Sequence, residues 1–241
     1  MATTLHFSCE SIESDGVAST RLLAVEPKNF VISGWTGRDA AAIQHHIEEL
    51  EALGVPRPSA VPLYYRASQD LLSQSGVVQV LGPESSGEAE PALFFADGEW
   101  WLTVGSDHTD RQVESYSVAV SKQMCPKPVA TSAWRWRDIA ARQDDIVLES
   151  RIHEGGEWVT YQCGTLASIR PLESLRDGYF SAAGADAQDG HVQFCGTLGA
   201  IPNAQGQGIR PAGLMEVSLR DLLLKRAIVH RYSVQALPVI A

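Results

Sequence analysis

One stretch restricts the fold of this chain more than any other. Residues 88–107 read as two apolar β-strands closing on an Asp97-Gly98 turn. Strand side chains alternate with period two, so Glu88-Ala89-Glu90 places both carboxylates on one face. A regular two-residue turn pairs Ala96 with Glu99, sets Glu90 opposite Gly105 and sets Glu88 opposite Asp107. Directly opposed side chains share a face and lie about 5 Å apart at Cβ. Three acids therefore converge, with Gly105 expected to leave room beside them. Ala92, Phe94, Trp101 and Thr103 continue that face, whereas Leu93, Phe95, Trp100, Leu102 and Val104 form the face expected to be core.

Like charges at this separation need a compensating cation or a raised pKa. Carboxylate oxygens are hard donors that suit Mg²⁺, Mn²⁺ or Ca²⁺ rather than zinc. The alternative is a solvated acidic strand pair. A second candidate lies on a helix expected over 38–53, where Ala40, Ile43, Ile47 and Leu50 recur at helical spacing before Gly54, Pro56 and Pro58. There His46 and Glu49 are three residues apart on one flank of the apolar stripe, a spacing that lets a carboxylate orient an imidazole. His45 with Glu48 or Glu49 satisfies the same geometry, and a surface ion pair is the plainer reading.

Elsewhere short strands dominate: Thr4–Phe7, Thr20–Val25, Phe30–Ser33, Val61–Tyr65, Val77–Leu81, Val192–Cys195, Met215–Leu219 and Ile228–Leu237. Ile146–Ile152 and Glu157–Gln162 form another hairpin around Glu154-Gly155-Gly156. Helical character is expected at Arg135–Arg142, one turn at Pro171–Leu175, and a surface loop over Tyr179–Gly190. The sum is a β-rich α+β fold. Cys163-Gly164-Thr165-Leu166 recurs as Cys195-Gly196-Thr197-Leu198, too short an echo to be a repeat. Trp134 and Trp136 suit core anchoring, His108 a satisfied polar position, and Asp110 with Arg111 a turn bond or structural ion pair.

The 241 residues carry a formal net charge of −10, which disfavours nucleic acid as a partner. No apolar run is long enough to span a membrane, and Met1–Glu10 lacks the pattern of a signal peptide. Cys9, Cys125, Cys163 and Cys195 form no CxxC pair, which points to reduced thiols and a cytoplasmic protein.

At this point an ordered series of segments resembles the fumarylacetoacetate hydrolase superfamily, as an uncharacterised, shorter bacterial branch, from Gly37 to the C-terminus. Gly37-Arg38-Asp39 followed by His46-Ile47-Glu48-Glu49-Leu50 is similar to that family's Gly-Arg-Asn-Tyr…His-x-x-Glu segment. Glu88-Ala89-Glu90 resembles its Glu-x-Glu metal motif, and Ser106-Asp107-His108-Thr109-Asp110-Arg111 its Asn-Asp-x-Ser-x-Arg. Pro62-Leu63-Tyr64-Tyr65-Arg66 looks like a segment ending in a family lysine. Ser121-Lys122 with Cys125-Pro126 looks like the stretch bearing a substrate-contacting lysine. Tyr161-Gln162 and Thr165 echo a Gln…Thr pair, and Phe194-Cys195-Gly196-Thr197-Leu198 resembles the Thr-Gly-Thr-Pro turn. Departures are Leu198 for proline, Arg66 for lysine, a short interval from Glu90 to Asp107, and about one extra helical turn before His46.

The resemblance implies a mixed β-sheet roll of the superfamily's C-terminal-domain type, often homodimeric, over 37–241, with 1–36 as a β-rich lead-in or small cap. It implies Mg²⁺ or Mn²⁺ on Glu88, Glu90 and Asp107, and favours His46 over His45 as a water-activating base held by Glu49. Lys122 is implied as a catalytic cation, with Arg38, Arg66 and Thr197 contacting a small-molecule carboxylate substrate. The implied activity is hydrolysis of a carbon–carbon bond in an acylpyruvate-like 1,3-dicarbonyl or 2-oxo acid. Decarboxylation, tautomerisation or hydration of oxaloacetate-type or 2-oxo-enoic acids, or binding without catalysis, are the alternatives.

Overall fold

The computed structural model describes residues 3–52 and 57–240, apart from the side chains of His46, Glu49, Leu50 and Ala52. The first half of the chain runs β1 (Leu5–Ile12), β2 (Ala18–Val25), β3 (Asn29–Gly34), α1 (Ala40–Ala52), β4 (Leu63–Ala67) and β5 (Val77–Leu81). The candidate hairpin follows as β6 (Ala89–Ala96) and β7 (Glu99–Ser106), then come the short helices α2 (Arg111–Glu114) and α3 (Val118–Met124). The remainder is β8 (Ser132–Arg135), β9 (Val147–Glu154), β10 (Glu157–Thr165), α4 (Leu172–Ala183), β11 (His191–Phe194), β12 (Leu214–Asp221) and β13 (Arg226–Leu237).

The strands build two mixed sheets, of eight strands in the order β2-β1-β8-β7-β6-β11-β3-β4 and of five in the order β10-β9-β12-β13-β5. Parallel pairs occur at β1 with β8, β11 with β3, and β13 with β5. Residues before Gly37 thus supply three strands of the larger sheet.

The hairpin forms in the register that the turn demands: Ala96 faces Glu99, Glu90 faces Gly105, and Ala89 faces Ser106. Asp97 and Gly98 take φ of 54° and 71°, the paired left-handed conformations of a type I′ turn. One expectation fails here. Both faces of the hairpin are core, not one. Leu93, Leu102 and Val104 pack between the sheets with Leu148, Val217 and Ile228. Ala92, Phe94 and Trp101 join a second core with Phe7, Phe30 and Phe194. Phe7 stacks on Phe94 at 4.2 Å although β8 and β7 lie between their strands in the sheet, so the larger sheet is strongly curved. Two-sided burial explains why β6 reads as a nearly unbroken apolar run.

Helix α1 starts where Asp39 accepts the backbone N–H groups of Ala41 and Ala42. Its expected end at Gly54 lies outside the described residues. Helix α4 corrects the reading of Pro171–Leu175 as one turn and of Tyr179 onward as loop. The Tyr179 and Phe180 rings pack on His191, and Phe180 also meets Trp100, so burial prolongs the helix to Gly184, which caps it at φ 60°. Arg135–Arg142 forms 3₁₀ turns over Trp136–Asp138 and Ala140–Asp145. Helices α2 and α3, which lack enough length for periodicity to show, begin at the side-chain caps Asp110 and Ser117.

Candidate metal centre

Glu88, Glu90 and Asp107 each offer a carboxylate oxygen, and the three oxygens lie within 4.8 Å of one another. Beyond the last paired residues of the hairpin, the Asp107 N–H donates to the Glu88 carbonyl at 2.9 Å, which extends the register to the third acid. Glu88 is partly exposed, while Glu90 and Asp107 are buried. Glu88 and Glu90 form part of the wall of a cavity of about 730 Å³, and Asp107 stands behind them.

The acids are embedded among cations. Asp107 is ion-paired through one oxygen to Lys122 and through the other to the fully buried Lys127 at 2.7 Å. Lys127 also donates to the His108 carbonyl at 2.5 Å. Arg111 lies 3.2 Å from Glu88 and 2.7 Å from Glu114. Four carboxylates (Glu88, Glu90, Asp107, Glu114) therefore meet three cations (Arg111, Lys122, Lys127).

One negative charge is left over, and the protonation of the site reflects it. Burial, then the charges of Asp107 and Glu88, push the Glu90 carboxyl well above the carboxylate range against the pull of Lys122 and the Gly196 N–H. Burial works on Asp107 in the same direction, but Lys122 and Lys127 outweigh it and hold that carboxyl below its ordinary value. For Lys122 burial is outweighed by Asp107, Glu88 and Glu90, so the ammonium stays charged. His108 is a satisfied polar residue, as expected. Its ring nitrogens meet Tyr232 and Ser85 at 3.1 and 2.9 Å, and burial, with Lys127 and Arg111, lowers its pKa to about 3.

The backbone between the two glutamates is clamped. Gln162 Oε1 accepts from the Ala89 N–H at 2.9 Å and from Ser150 Oγ at 2.7 Å. Gln162 Nε2 donates to Thr197 Oγ1 and to the Leu198 carbonyl, both at 2.7 Å, and Thr197 Oγ1 donates to the Ala89 carbonyl at 2.8 Å. A bulge in β10 at Tyr161, opposite the Ser150/Arg151 step, breaks alternation and lets Tyr161 and Gln162 both reach the cavity. Gly196 completes the frame. At φ 95°, with a Cβ position only 1.7 Å from Thr36 Oγ1, it must be glycine, and its N–H donates to Glu90 at 2.7 Å. Gly105 leaves no vacant room as its spacing suggested, because the Phe194 ring fills the place of its missing side chain.

The remaining sequence candidates divide. Lys122 and Thr197 line the cavity. Arg38 and Arg66 are not brought to it. Arg38 makes a two-pronged pair with Asp144 and donates to the Ile169 carbonyl, while Arg66, one residue past the cavity-lining Tyr65 and so on the other face of β4, is exposed and reaches the Tyr179 hydroxyl at 3.3 Å. The side chains of His46 and Glu49 lie outside the described residues; Ile43, on the same helix, lines the cavity. The four cysteines are unbridged, and burial raises the Cys125 thiol to about 11. Sequence reasoning missed Lys127, whose only signal was a lysine set between Pro126 and Pro128 in an apolar stretch.

Comparison with known proteins bears on this geometry. A family model described as "Protein of unknown function (DUF2848)" matches residues 33–232. No curated protein matches the chain. Among solved structures, the Cg1458 protein is similar at a TM-score of 0.59 and 12% identity, covering 92% of this chain and 83% of that one. A 2-keto-3-deoxy-D-arabinonate dehydratase complexed with magnesium and 2,5-dioxopentanoate is similar at a TM-score of 0.56 and 12% identity, covering 95% and 79%. A protein named as a probable 2-hydroxyhepta-2,4-diene-1,7-dioate isomerase from Mycobacterium abscessus is similar at 0.51 and 14% identity, covering 90% and 77%. Such neighbours are members of the fumarylacetoacetate hydrolase superfamily, and the chain shares their fold.

Proposed function

The chain belongs to the DUF2848 family, and from its acidic centre and shared fold we propose that it is a divalent-metal-dependent enzyme acting on a 2-oxo acid. The observation that carries this reading is the convergence of Glu88 and Glu90, at the wall of the 730 Å³ cavity, with Asp107 behind them. The fit is chemical. All three donors are hard oxygens, and Glu90, whose carboxyl holds its proton because it is buried beside Asp107 and Glu88, can exchange that proton for a cation. Neighbours named as a magnesium-bound dehydratase and as an isomerase of a dienedioate support metal–oxo-acid chemistry on this fold.

In this proposal Glu88, Glu90 and Asp107 hold Mg²⁺ or Mn²⁺, which when bound supplies Lewis-acid polarisation of the substrate's oxo group. Lys122, charged and fixed against Asp107, neutralises negative charge developing on the substrate. Arg111 braces Glu88. Thr197 has its proton committed to the Ala89 carbonyl, so its first task is to hold the metal-ligand strand, and a substrate carboxylate must displace that bond to engage it. His46, oriented by Glu49 on α1, is the proposed base that removes a proton from water.

The finer proposal is hydrolysis of a carbon–carbon bond in an acylpyruvate-like acid. The names of the neighbours favour a second reading, a lyase or isomerase reaction at the same centre. Turnover of acylpyruvates and oxaloacetate, with EDTA, Mg²⁺ or Mn²⁺, separates them. Metal-dependent release of pyruvate and a carboxylic acid, abolished in Glu88→Ala and in His46→Ala, is the result expected. A His46→Ala variant with full turnover removes the hydrolytic step, and turnover indifferent to EDTA removes the metal.

A further inference from the structure

The wall of the cavity is divided in kind. One part carries the acids, Lys122, Arg111, Gln162 and Thr197, all anchored by the β6–β7 hairpin and its clamp. Beside the hydroxyl-bearing Ser33, Thr36, Ser115 and Tyr161, the large side chains of the rest are uncharged, mostly apolar, and drawn from separate elements: Trp35 after β3, Ile43 on α1, Tyr65 on β4, Val118 on α3, and Leu198 and Ile209 between β11 and β12. Trp35, held at φ 60°, is hydrogen-bonded to the Tyr65 side chain, which fixes the two rings as a pair. Leu198 is packed against Gly164, whose missing side chain makes space for it. Ile209 is 54% exposed at the rim, a large apolar side chain left in water.

Charge on this wall is confined to the acidic end. Among the described residues lining the cavity, the lysine and arginine side chains are Lys122 and Arg111, and both are already paired, with Asp107 and with Glu88 and Glu114. A second carboxylate on the substrate would enter a largely apolar surface with no cation among those residues to receive it. A branched alkyl or aryl tail would instead cover Ile43, Val118, Leu198 and Ile209 and stack beside Trp35 and Tyr65.

We propose that this enzyme is specific for 2-oxo acids whose tail is uncharged and apolar, with the apolar wall as the subsite that selects them. This rests on the metal–oxo-acid reading, and the test separates the two. Calorimetry on the Mn²⁺-loaded protein uses oxalate as a probe of the head site alone. Pyruvate, 4-methyl-2-oxopentanoate, phenylpyruvate and 2-oxoglutarate then probe the tail. Affinity is expected to rise about fourfold per buried methylene, placing 4-methyl-2-oxopentanoate and phenylpyruvate well ahead of pyruvate. For 2-oxoglutarate, binding roughly a hundredfold weaker than that of the apolar acids is expected. Ile209→Lys, a change at an exposed position, is expected to narrow that gap about tenfold by supplying a cation. Oxalate binding with 2-oxoglutarate equal to or ahead of the apolar acids, or a gap left at its wild-type size by Ile209→Lys, overturns the subsite and leaves the metal reading standing. Absence of metal-dependent oxalate binding overturns both.

Discussion

Gln162→Leu tests whether the clamp on Ala89 is what positions the acidic centre. Leucine keeps the volume of glutamine closely enough that packing is nearly conserved, so the cost is polar. Four bonds go at once: those from the Ala89 N–H and Ser150 Oγ, and those to Thr197 Oγ1 and the Leu198 carbonyl. The two hydroxyls can rotate towards other acceptors, but the buried Ala89 N–H and the Leu198 carbonyl are fixed. Each orphaned buried group costs about 1–3 kcal/mol, so the variant should lose about 3–5 kcal/mol. In a chain of this size that is a fall in Tm of roughly 10 °C. Because Ala89 lies between Glu88 and Glu90, metal affinity should fall about 10–100-fold, as for other groups that orient ligands from behind. Urea unfolding with EDTA gives the first number and Mn²⁺ titration the second, with Cys163→Ser at the neighbouring exposed residue as control. A Gln162→Leu protein within about 1 kcal/mol of wild type and with unchanged metal affinity would show that the clamp does not position the ligands.

Other consequences follow from the same contacts. Lys127→Met leaves Asp107 buried with Lys122 as its remaining ammonium partner, and should destabilise the metal-free protein by about 3–5 kcal/mol in urea unfolding. Added Mg²⁺ should restore part of that loss, since it replaces the missing positive charge. Gly196→Ala puts a methyl group against Thr36 at positive φ and should cost about 2 kcal/mol or more, again read by unfolding. The raised Glu90 carboxyl gives a pH signature. A carboxyl raised in the folded state stabilises below its unfolded value, near ~4.3, and that contribution is lost as pH rises through the folded value. Metal displaces the proton, so the difference in Tm between Mg²⁺-loaded and EDTA-treated protein should widen as pH rises above the ordinary carboxylate range. A constant difference would mean that Glu90 does not exchange its proton for the ion.

The acids were legible in the sequence because a hairpin is a local object. The Asp97-Gly98 turn fixes its register, and register alone delivers Glu90 opposite Gly105 and brings Asp107 to Glu88. Lys127, Gln162 and Gly196 were not legible as supports, because their partners Asp107, Ala89 and Glu90 are 20, 73 and 106 residues away in sequence and no periodicity links them. Burial of both hairpin faces was hidden for a related reason: alternation tells two faces apart but does not tell whether the second is also covered. Arg38 and Arg66 show the converse. A motif position identified them, yet Asp144 holds one and strand alternation turns the other away from the cavity. Tertiary packing of Tyr179 and Phe180 likewise overrode the loop-like composition that follows them.

The central claim is that Glu88, Glu90 and Asp107 form one divalent-ion site. Equilibrium binding of Mn²⁺ to the EDTA-stripped full chain, followed by the loss of the free-ion paramagnetic signal, tests it without any choice of substrate. The account predicts one ion per chain, displaced by excess Mg²⁺, with binding weakened at least about a hundredfold in Glu88→Ala and in Glu90→Gln. Wild-type protein that leaves millimolar Mn²⁺ free, or variants that bind as wild type does, would contradict it and leave the three carboxylates as a lysine- and arginine-balanced structural cluster.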